Sequence, residues 1–170
     1  MPTFTAECDF DAGEGANGAG TVNGKLMITQ YGMCGDEMDR VVFSGKLTGD
    51  AAFGFTPGMH GLHVHDGTDI TTCSTLGGHM AVEGGEMHGS PMDTPPNRHQ
   101  GDIGNINVNG KGMGDVWISD MIVSLDSANA NFIGGRGMVL HELIDQFDQQ
   151  PTGAAGARVG CCIISNVVAV

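Results

Sequence analysis

The sequence predicts an all-β fold, either an antiparallel sandwich or a barrel. Eight short strand-like runs recur along the 170 residues, and several of them alternate apolar and polar side chains. Glycine is abundant at 29 residues and aromatic residues make up only 5%, which indicates turns and irregular loops between short strands. No long stretch has the 3.6-residue period of an amphipathic helix. The length suits one domain, over residues 1–170.

The predicted strands follow one another at short intervals. In the sixth, Val116 and Ile118 share one face and Trp117 lies on the other. Asn109 and Gly110 separate the fifth run from the sixth and predict a tight hairpin turn. The eight runs are residues 3–11, 20–29, 39–48, 61–65, 104–108, 114–119, 138–142 and 157–165.

Two long segments do not fit strands. Residues 66–103 are polar and rich in Gly, His, Met and Pro, and loops of that length inside a compact domain are usually functional or disordered. Residues 141–158 form a second loop, in which we predict one helical turn near Leu143–Phe147. Function is therefore expected in the loops and at the strand ends that border them.

Charge and cysteine content exclude several classes of protein. The net charge is −13, which argues against a nucleic-acid surface or an anionic membrane partner, because both need basic patches. No apolar run approaches the roughly 18 residues of a membrane span. The five cysteines form no CxxC pair, which argues against zinc-ribbon and thioredoxin-like proteins. The N-terminus shows no signal-peptide pattern. A mature secreted chain behind an added Met would look the same.

Histidines carry the strongest functional signal. On a strand, His63 and His65 would project from one face while Val64 pointed into the core; on these residues alone, two surface histidines are an equally good interpretation. The long loop adds His79, His88, His99 and Asp102, and His141 ends a strand. Six histidines and a carboxylate can hold two metals, since imidazole-rich tetragonal sites suit copper and tetrahedral His₃Asp sites suit zinc. For His60 we predict a structural hydrogen-bonding role.

The sequence resembles copper/zinc superoxide dismutases. The matching elements are GLHVH, GGH, HGSP, RHQGDIGN, VLHE and GAAGARVGC, in the family's order over roughly residues 58–165. The resemblance implies a flattened eight-stranded Greek-key barrel with a long metal-binding loop and a short electrostatic loop. It also implies a copper ion and a zinc ion as cofactors.

The resemblance implies a role for individual residues as well. Arg158 would hold the anionic substrate, superoxide, beside copper, and His79 would bridge the two metals and handle a proton. Asp145 would link a copper histidine to a zinc histidine, and Cys73 and Cys161 would form the intrasubunit disulfide; the pairing of Cys8, Cys34 and Cys162 stays open. The implied copper ligands are His63, His65, His79 and His141, and the implied zinc ligands are His79, His88, His99 and Asp102.

The predicted function is superoxide dismutation, and the alternative is an extracellular metal carrier of similar fold with little or no dismutase activity. The electrostatic loop carries Glu142, Asp145 and Asp148 but no basic residue before Arg158, so we expect a slow enzyme whose rate rises slightly or stays level with added salt. A homodimer or other homo-oligomer is expected, although the segment after His65 lacks the aromatic residue of the family's usual interface. An extracellular location is favoured over a cytoplasmic one.

Overall fold

Eight antiparallel strands make up most of the regular structure. A computed structural model of the protein describes residues 1–10, 22–32, 39–82, 84 and 86–170. Two short 3₁₀ helices, Ala51–Phe53 and Cys73–Leu76, lie in the connections. The strands are β1 (Pro2–Phe10), β2 (Asn23–Tyr31), β3 (Arg40–Thr48), β4 (Gly58–Val64), β5 (Asn105–Val108), β6 (Met113–Asp120), β7 (Gly137–His141) and β8 (Arg158–Ala169).

The strands close into a barrel in the order β1-β2-β3-β6-β5-β4-β7-β8. The connections β3–β4 and β6–β7 cross between non-adjacent strands, which gives the Greek-key arrangement. The antiparallel barrel that the sequence predicts is therefore confirmed. Strand β8 runs four residues beyond its predicted end because Val168 and Ala169 still pair with β1.

The barrel interior is filled by the inward faces of the strands. Leu26, Phe43 and Leu62 are fully buried in this core, while the single tryptophan, Trp117, is 76% exposed. Val116 is buried beside it in sequence, as the predicted alternation in β6 requires. Residues 109–112 join β5 to β6, and the Asn109 side chain accepts hydrogen bonds from the backbone N–H groups of Lys111 and Met113.

Two disulfides fasten the last strand. Cys73, in the long loop, is bonded to Cys161, and Cys8 of β1 is bonded to Cys162. Since Cys161 and Cys162 are neighbours on β8, their side chains project to opposite faces, one toward the loop and one into the core. Cys34 lies outside the described residues, as do Asp11 of the first predicted strand and Gly20 and Thr21 of the second.

The prediction of a helical turn near Leu143–Phe147 is wrong. The loop between β7 and β8 folds back on itself, and its N–H groups donate across the loop: Glu142 to Ala157, Leu143 to Ala155 and Gln146 to Gly153. These cross-loop bonds replace the i to i−4 bonds that a helix would need. In the described residues, no helix has the length and apolar character to cross a membrane.

Candidate metal centre

Strand β4 and its end position the first two histidines. His63 lies within β4, where it is the register partner of Val139 in β7. His65 follows the strand's last residue and forms an isolated bridge with His79 of the long loop. Val64, between the two histidines, is fully buried in the barrel core. Both imidazoles therefore lie on the outer side of the barrel wall, with ring centroids 6.4 Å apart, where the long loop covers them.

Four histidines from three segments converge there. One possible ligand atom from each lies within 4.8 Å of the others, and all four residues are buried. The rings of His63 and His79 are 4.0 Å apart at their centroids, and those of His63 and His141 are 4.9 Å apart. We call this set the first cluster; its members are His63, His65, His79 and His141.

A second cluster shares one histidine with the first. Its possible ligand atoms again lie within 4.8 Å of one another, and its three histidines surround a fully buried carboxylate. From Asp102 Oδ1, the Nδ1 atoms of His79, His88 and His99 lie at 2.7, 3.2 and 3.2 Å. The members of this second cluster are His79, His88, His99 and Asp102. The structure thus brings together the two sets of residues that the resemblance implies as copper and zinc ligands, with His79 in both.

Each histidine of the first cluster fixes one ring nitrogen by a hydrogen bond. His63 Nε2 donates to Asp145 Oδ2 at 2.9 Å, His65 Nδ1 donates to the Gly77 carbonyl at 3.0 Å, and His141 Nδ1 donates to the Gly156 carbonyl at 3.3 Å. These bonds set the ring orientation and the tautomer, as the outer partners of metal-bound histidines do.

The other nitrogen of each of these rings has no partner. In the described part of the chain, five buried histidine nitrogens make no hydrogen bond, and four of them come from the four members of the first cluster. Leaving a buried polar atom unpaired costs about 1–3 kcal/mol, so several together indicate that a ligand satisfies them. A cation that prefers nitrogen ligands fits this donor set. The five atoms are His63 Nδ1, His65 Nε2, His79 Nε2, His88 Nδ1 and His141 Nε2.

One buried carboxylate, that of Asp145, connects a histidine of the first cluster to a histidine of the second. Asp145 accepts from His63 Nε2 at 2.9 Å and from His88 Nε2 at 2.6 Å. Its own backbone is held by Asn105, whose amide Oδ1 accepts from Asp145 N and whose Nδ2 donates to Asp145 O. Burial alone would raise the pKa of Asp145, but these histidines outweigh it and lower that pKa below its usual value.

Burial favours the neutral form of three histidines of the first cluster, His65, His79 and His141. Burial, reinforced by neighbouring imidazoles, lowers the pKa of His79 to about 4 and of His141 to about 3, and it lowers that of His65 further. In the second cluster, burial would lower the pKa of His88, but the nearby carboxylates of Asp102 and Asp145 outweigh it and raise that pKa to about 9. These carboxylates favour a positive charge beside them, which a divalent cation would also supply.

Arg158 stands at the edge of the first cluster. It is the register partner of His141 across β7 and β8, and its guanidinium donates to the carbonyls of Cys73 and Gly77. The same Gly77 carbonyl accepts from His65, so one backbone group ties the arginine to the cluster. Arg158 is half-buried, and burial lowers its pKa from the usual value. It therefore offers a fixed cation beside the four imidazoles.

Sequence reasoning missed Arg98, which holds the long loop in place. Its side chain is fully buried, donates to Asp120 Oδ2 at 2.8 Å, and donates to the carbonyls of Pro91, His99 and Gln100. The only signal in the sequence is its position next to His99. His60, in contrast, has the structural role predicted for it, because its ring nitrogens contact the carbonyls of Thr56 and His141.

Comparisons with known proteins agree with this geometry. Residues 22–164 match the family model described as copper/zinc superoxide dismutase. An extracellular Cu-Zn superoxide dismutase of Haemonchus contortus is 36% identical over 162 residues, which cover 91% of this chain and 79% of that protein. A crystal structure of the clock protein EA4 has a TM-score of 0.76 and 30% identity, and the match covers 96% of this chain and 94% of that one. The chain belongs to the copper/zinc superoxide dismutase family.

Proposed function

We propose that the protein is a superoxide dismutase with copper in the first cluster and zinc in the second. The observation that carries the proposal is the set of four unpartnered, buried nitrogens, one from each member of the first cluster. All-nitrogen sites suit copper, whereas three imidazoles and one carboxylate suit zinc. The family supports the same assignment. We propose further that residues 1–170 form one domain of this kind.

Dismutation converts two superoxide ions and two protons into one O₂ and one H₂O₂. Bound copper supplies the one-electron exchange that oxidises one superoxide and reduces the other, and zinc supplies a fixed charge and structural support. The protein must then bind a small anion, exclude bulk water and provide protons. His79 suits the last task because its Nε2, the nitrogen that it would offer to copper, could alternatively hold a proton and pass it to the reduced oxygen.

Arg158 is the residue that we assign to substrate binding. Two carbonyls fix its guanidinium, so its remaining N–H groups are oriented before an anion arrives. The Cys73–Cys161 disulfide reinforces this arrangement, since Cys73 supplies one of the two carbonyls and Cys161 lies on the same strand as Arg158. Arg158 thus offers a local attraction within a protein of net charge −13.

The second candidate function is metal binding without dismutation. The structural likeness to the clock protein EA4 favours it, because the name of that protein states a role other than dismutation for a similar fold. Two acidic residues near the surface of the electrostatic loop, Glu142 and Asp148, also fit a protein not selected for rapid capture of an anion. Both candidates require the two clusters, so metal content alone does not separate them.

Metal analysis combined with a dismutase assay tests the proposal. The purified protein should hold one copper and one zinc, and His63→Ala or His141→Ala should abolish activity while zinc remains bound. Asn107→Ala, an exposed change on β5, serves as a control and should leave both metals and the activity unchanged. Full activity in either histidine variant contradicts the assignment, and two bound metals without activity in the unmodified protein favour the second candidate.

We also propose an extracellular location. Two disulfides suit an oxidising compartment, and the Haemonchus contortus relative is named as extracellular. Thiol titration of protein taken from its native source should find the four cysteines of these disulfides oxidised. Reduced cysteines at these positions would indicate the cytoplasm.

A further inference from the structure

The side-chain amide of Gln150 binds both backbone groups of His88. Gln150 Oε1 accepts from His88 N at 2.8 Å, and Gln150 Nε2 donates to His88 O at 2.7 Å. The two residues are 62 positions apart, one in the loop between β7 and β8 and the other in the long loop. A two-point contact of this kind fixes orientation as well as distance, because donor and acceptor must both align.

His88 is the residue at which the second cluster meets the carboxylate that joins the clusters. Its Nδ1 lies 3.2 Å from Asp102 Oδ1, and its Nε2 donates to Asp145 Oδ1 at 2.6 Å. Residues 86–90 belong to no strand or helix, so no ladder of backbone hydrogen bonds sets the place of His88. The Gln150 amide takes the part that a neighbouring strand would take in a sheet.

The segment that carries Gln150 is itself well defined. Gln149 N donates to Gln146 O at 2.9 Å, Gly153 N donates to Gln149 O at 2.7 Å, and Gln146 N donates to Gly153 O at 2.8 Å. These bonds close the tip of the loop around Gln150. The amide therefore reaches His88 from a supported position, at a lower entropic cost than a free side chain would have.

We propose that Gln150 is a positioning residue for the zinc site, which orients His88 Nδ1 through the backbone of His88. This inference rests on the proposed function, since it takes the second cluster as the zinc site. Gln150 touches neither metal ligand atoms nor substrate, and its effect passes through His88. The short electrostatic loop thus contributes Asp145 on the ring side of His88 and Gln150 on its backbone side.

Gln149 provides a matched control. It has the same side chain, is also exposed, and its amide donates to Asp148 Oδ1 at 3.3 Å. Methionine has nearly the length of glutamine without its amide, so Gln150→Met removes both hydrogen bonds to His88 with little change in volume. Gln149→Met makes the same chemical change one residue away.

Zinc affinity, measured by competition with a chromophoric chelator, tests the proposal. We expect about tenfold weaker zinc binding in Gln150→Met, the lower end of the effect of losing an outer-shell partner, and unchanged binding in Gln149→Met. Cobalt(II) at the same site gives a second readout, because its visible absorption reports ligand geometry. That spectrum should change in Gln150→Met alone, while the copper affinity stays as in the unmodified protein.

The outcomes separate the inference from the proposed function. Equal zinc affinity and an equal cobalt spectrum in Gln150→Met and the unmodified protein overturn the inference alone, as does an equal loss in both methionine variants. Absence of zinc binding in the unmodified protein removes the inference and the proposed function together. Should Gln150→Met fail to fold, amide exchange in the unmodified protein replaces it: we expect protection of the His88 N–H, and exchange at the rate of an open loop overturns the proposal.

Discussion

Replacing Gly153 by alanine should damage the link between the two clusters. Gly153 is buried and has φ = +71°, a conformation that L-residues with side chains rarely adopt. A Cβ at this position would lie 1.8 Å from Asp145 Oδ1 and 2.6 Å from His88 Nε2. Neither distance is possible without movement, so Asp145, His88 or the loop backbone must shift.

The cost follows from two separate effects. An alanine in the left-handed region costs about 1–2 kcal/mol wherever it is placed. Moving Asp145 also breaks the hydrogen bonds of 2.9 and 2.6 Å that it accepts from His63 and His88. The side chains of all three residues are fully buried. Leaving the buried charge of Asp145 or His88 without its partner typically costs about 3–5 kcal/mol, and this part is specific to position 153.

Gly135 is the matched control because it isolates the backbone effect. Its φ is +80°, and a Cβ built there meets nothing within 4 Å. Urea unfolding of the metal-free, disulfide-bonded protein should show a loss of about 1–2 kcal/mol for Gly135→Ala and a further 3–5 kcal/mol for Gly153→Ala. A difference under about 1 kcal/mol between the variants would refute the reasoning, since it would mean that the loop relaxes without disturbing Asp145.

Three further predictions concern pH, the second disulfide and salt. As the pH falls below 6.5, the metal-free protein should lose up to about 1.4 kcal/mol of stability per pH unit for each histidine whose pKa burial lowers, because those histidines bind protons in the unfolded chain first. His88 has a raised pKa, so its contribution to stability should be lost as the pH rises from 6.5 through about 9. Thermal unfolding measured across this pH range checks both losses. Replacing Cys8 and Cys162 together by alanine should lower the free energy of unfolding by about 2–5 kcal/mol, as denaturant titration would reveal, whereas a change under 1 kcal/mol contradicts a bridge that closes nearly the whole chain. The dismutase rate should stay level or rise slightly with added salt, and Gln149→Lys should raise it at low salt; a steep fall with salt in the unmodified protein would show that the surface attracts superoxide from a distance.

Alternation and motifs sufficed to predict most of the architecture and the two clusters. Val116 and Trp117 lie on opposite faces of β6 as their pattern indicates, and His63 and His65 lie on one side of β4. Local pattern carries this information because the side-chain period of a strand is two. The order of the motifs then supplied the cluster members in the long loop, whose spacing by itself does not specify a cluster.

Contacts between distant residues that belong to no matching motif pair could not be predicted. The bond between Cys8 and Cys162 depends on β1 lying beside β8, which no local pattern encodes. Gln149 and Gln150 look equivalent in the sequence, as adjacent amides of the electrostatic loop to which lysines could be added to attract an anion at low salt. The structure separates them, because Gln150 binds the backbone of His88 and a lysine there would lose that contact. Only Gln149 is suited to the charge test.

The acidic residues of the electrostatic loop repel an approaching anion less than their number indicates. Asp145 is buried and accepts hydrogen bonds from two imidazoles, so its charge acts on the clusters and not on an approaching anion. Glu142 and Asp148 remain near the surface, where solvent and salt screen them within about 10 Å. Arg158 is the arginine at the edge of the first cluster, held by two carbonyls. Capture of a small anion therefore depends on this local, prearranged group, while the long-range field of a chain with charge −13 sets how often the anion arrives.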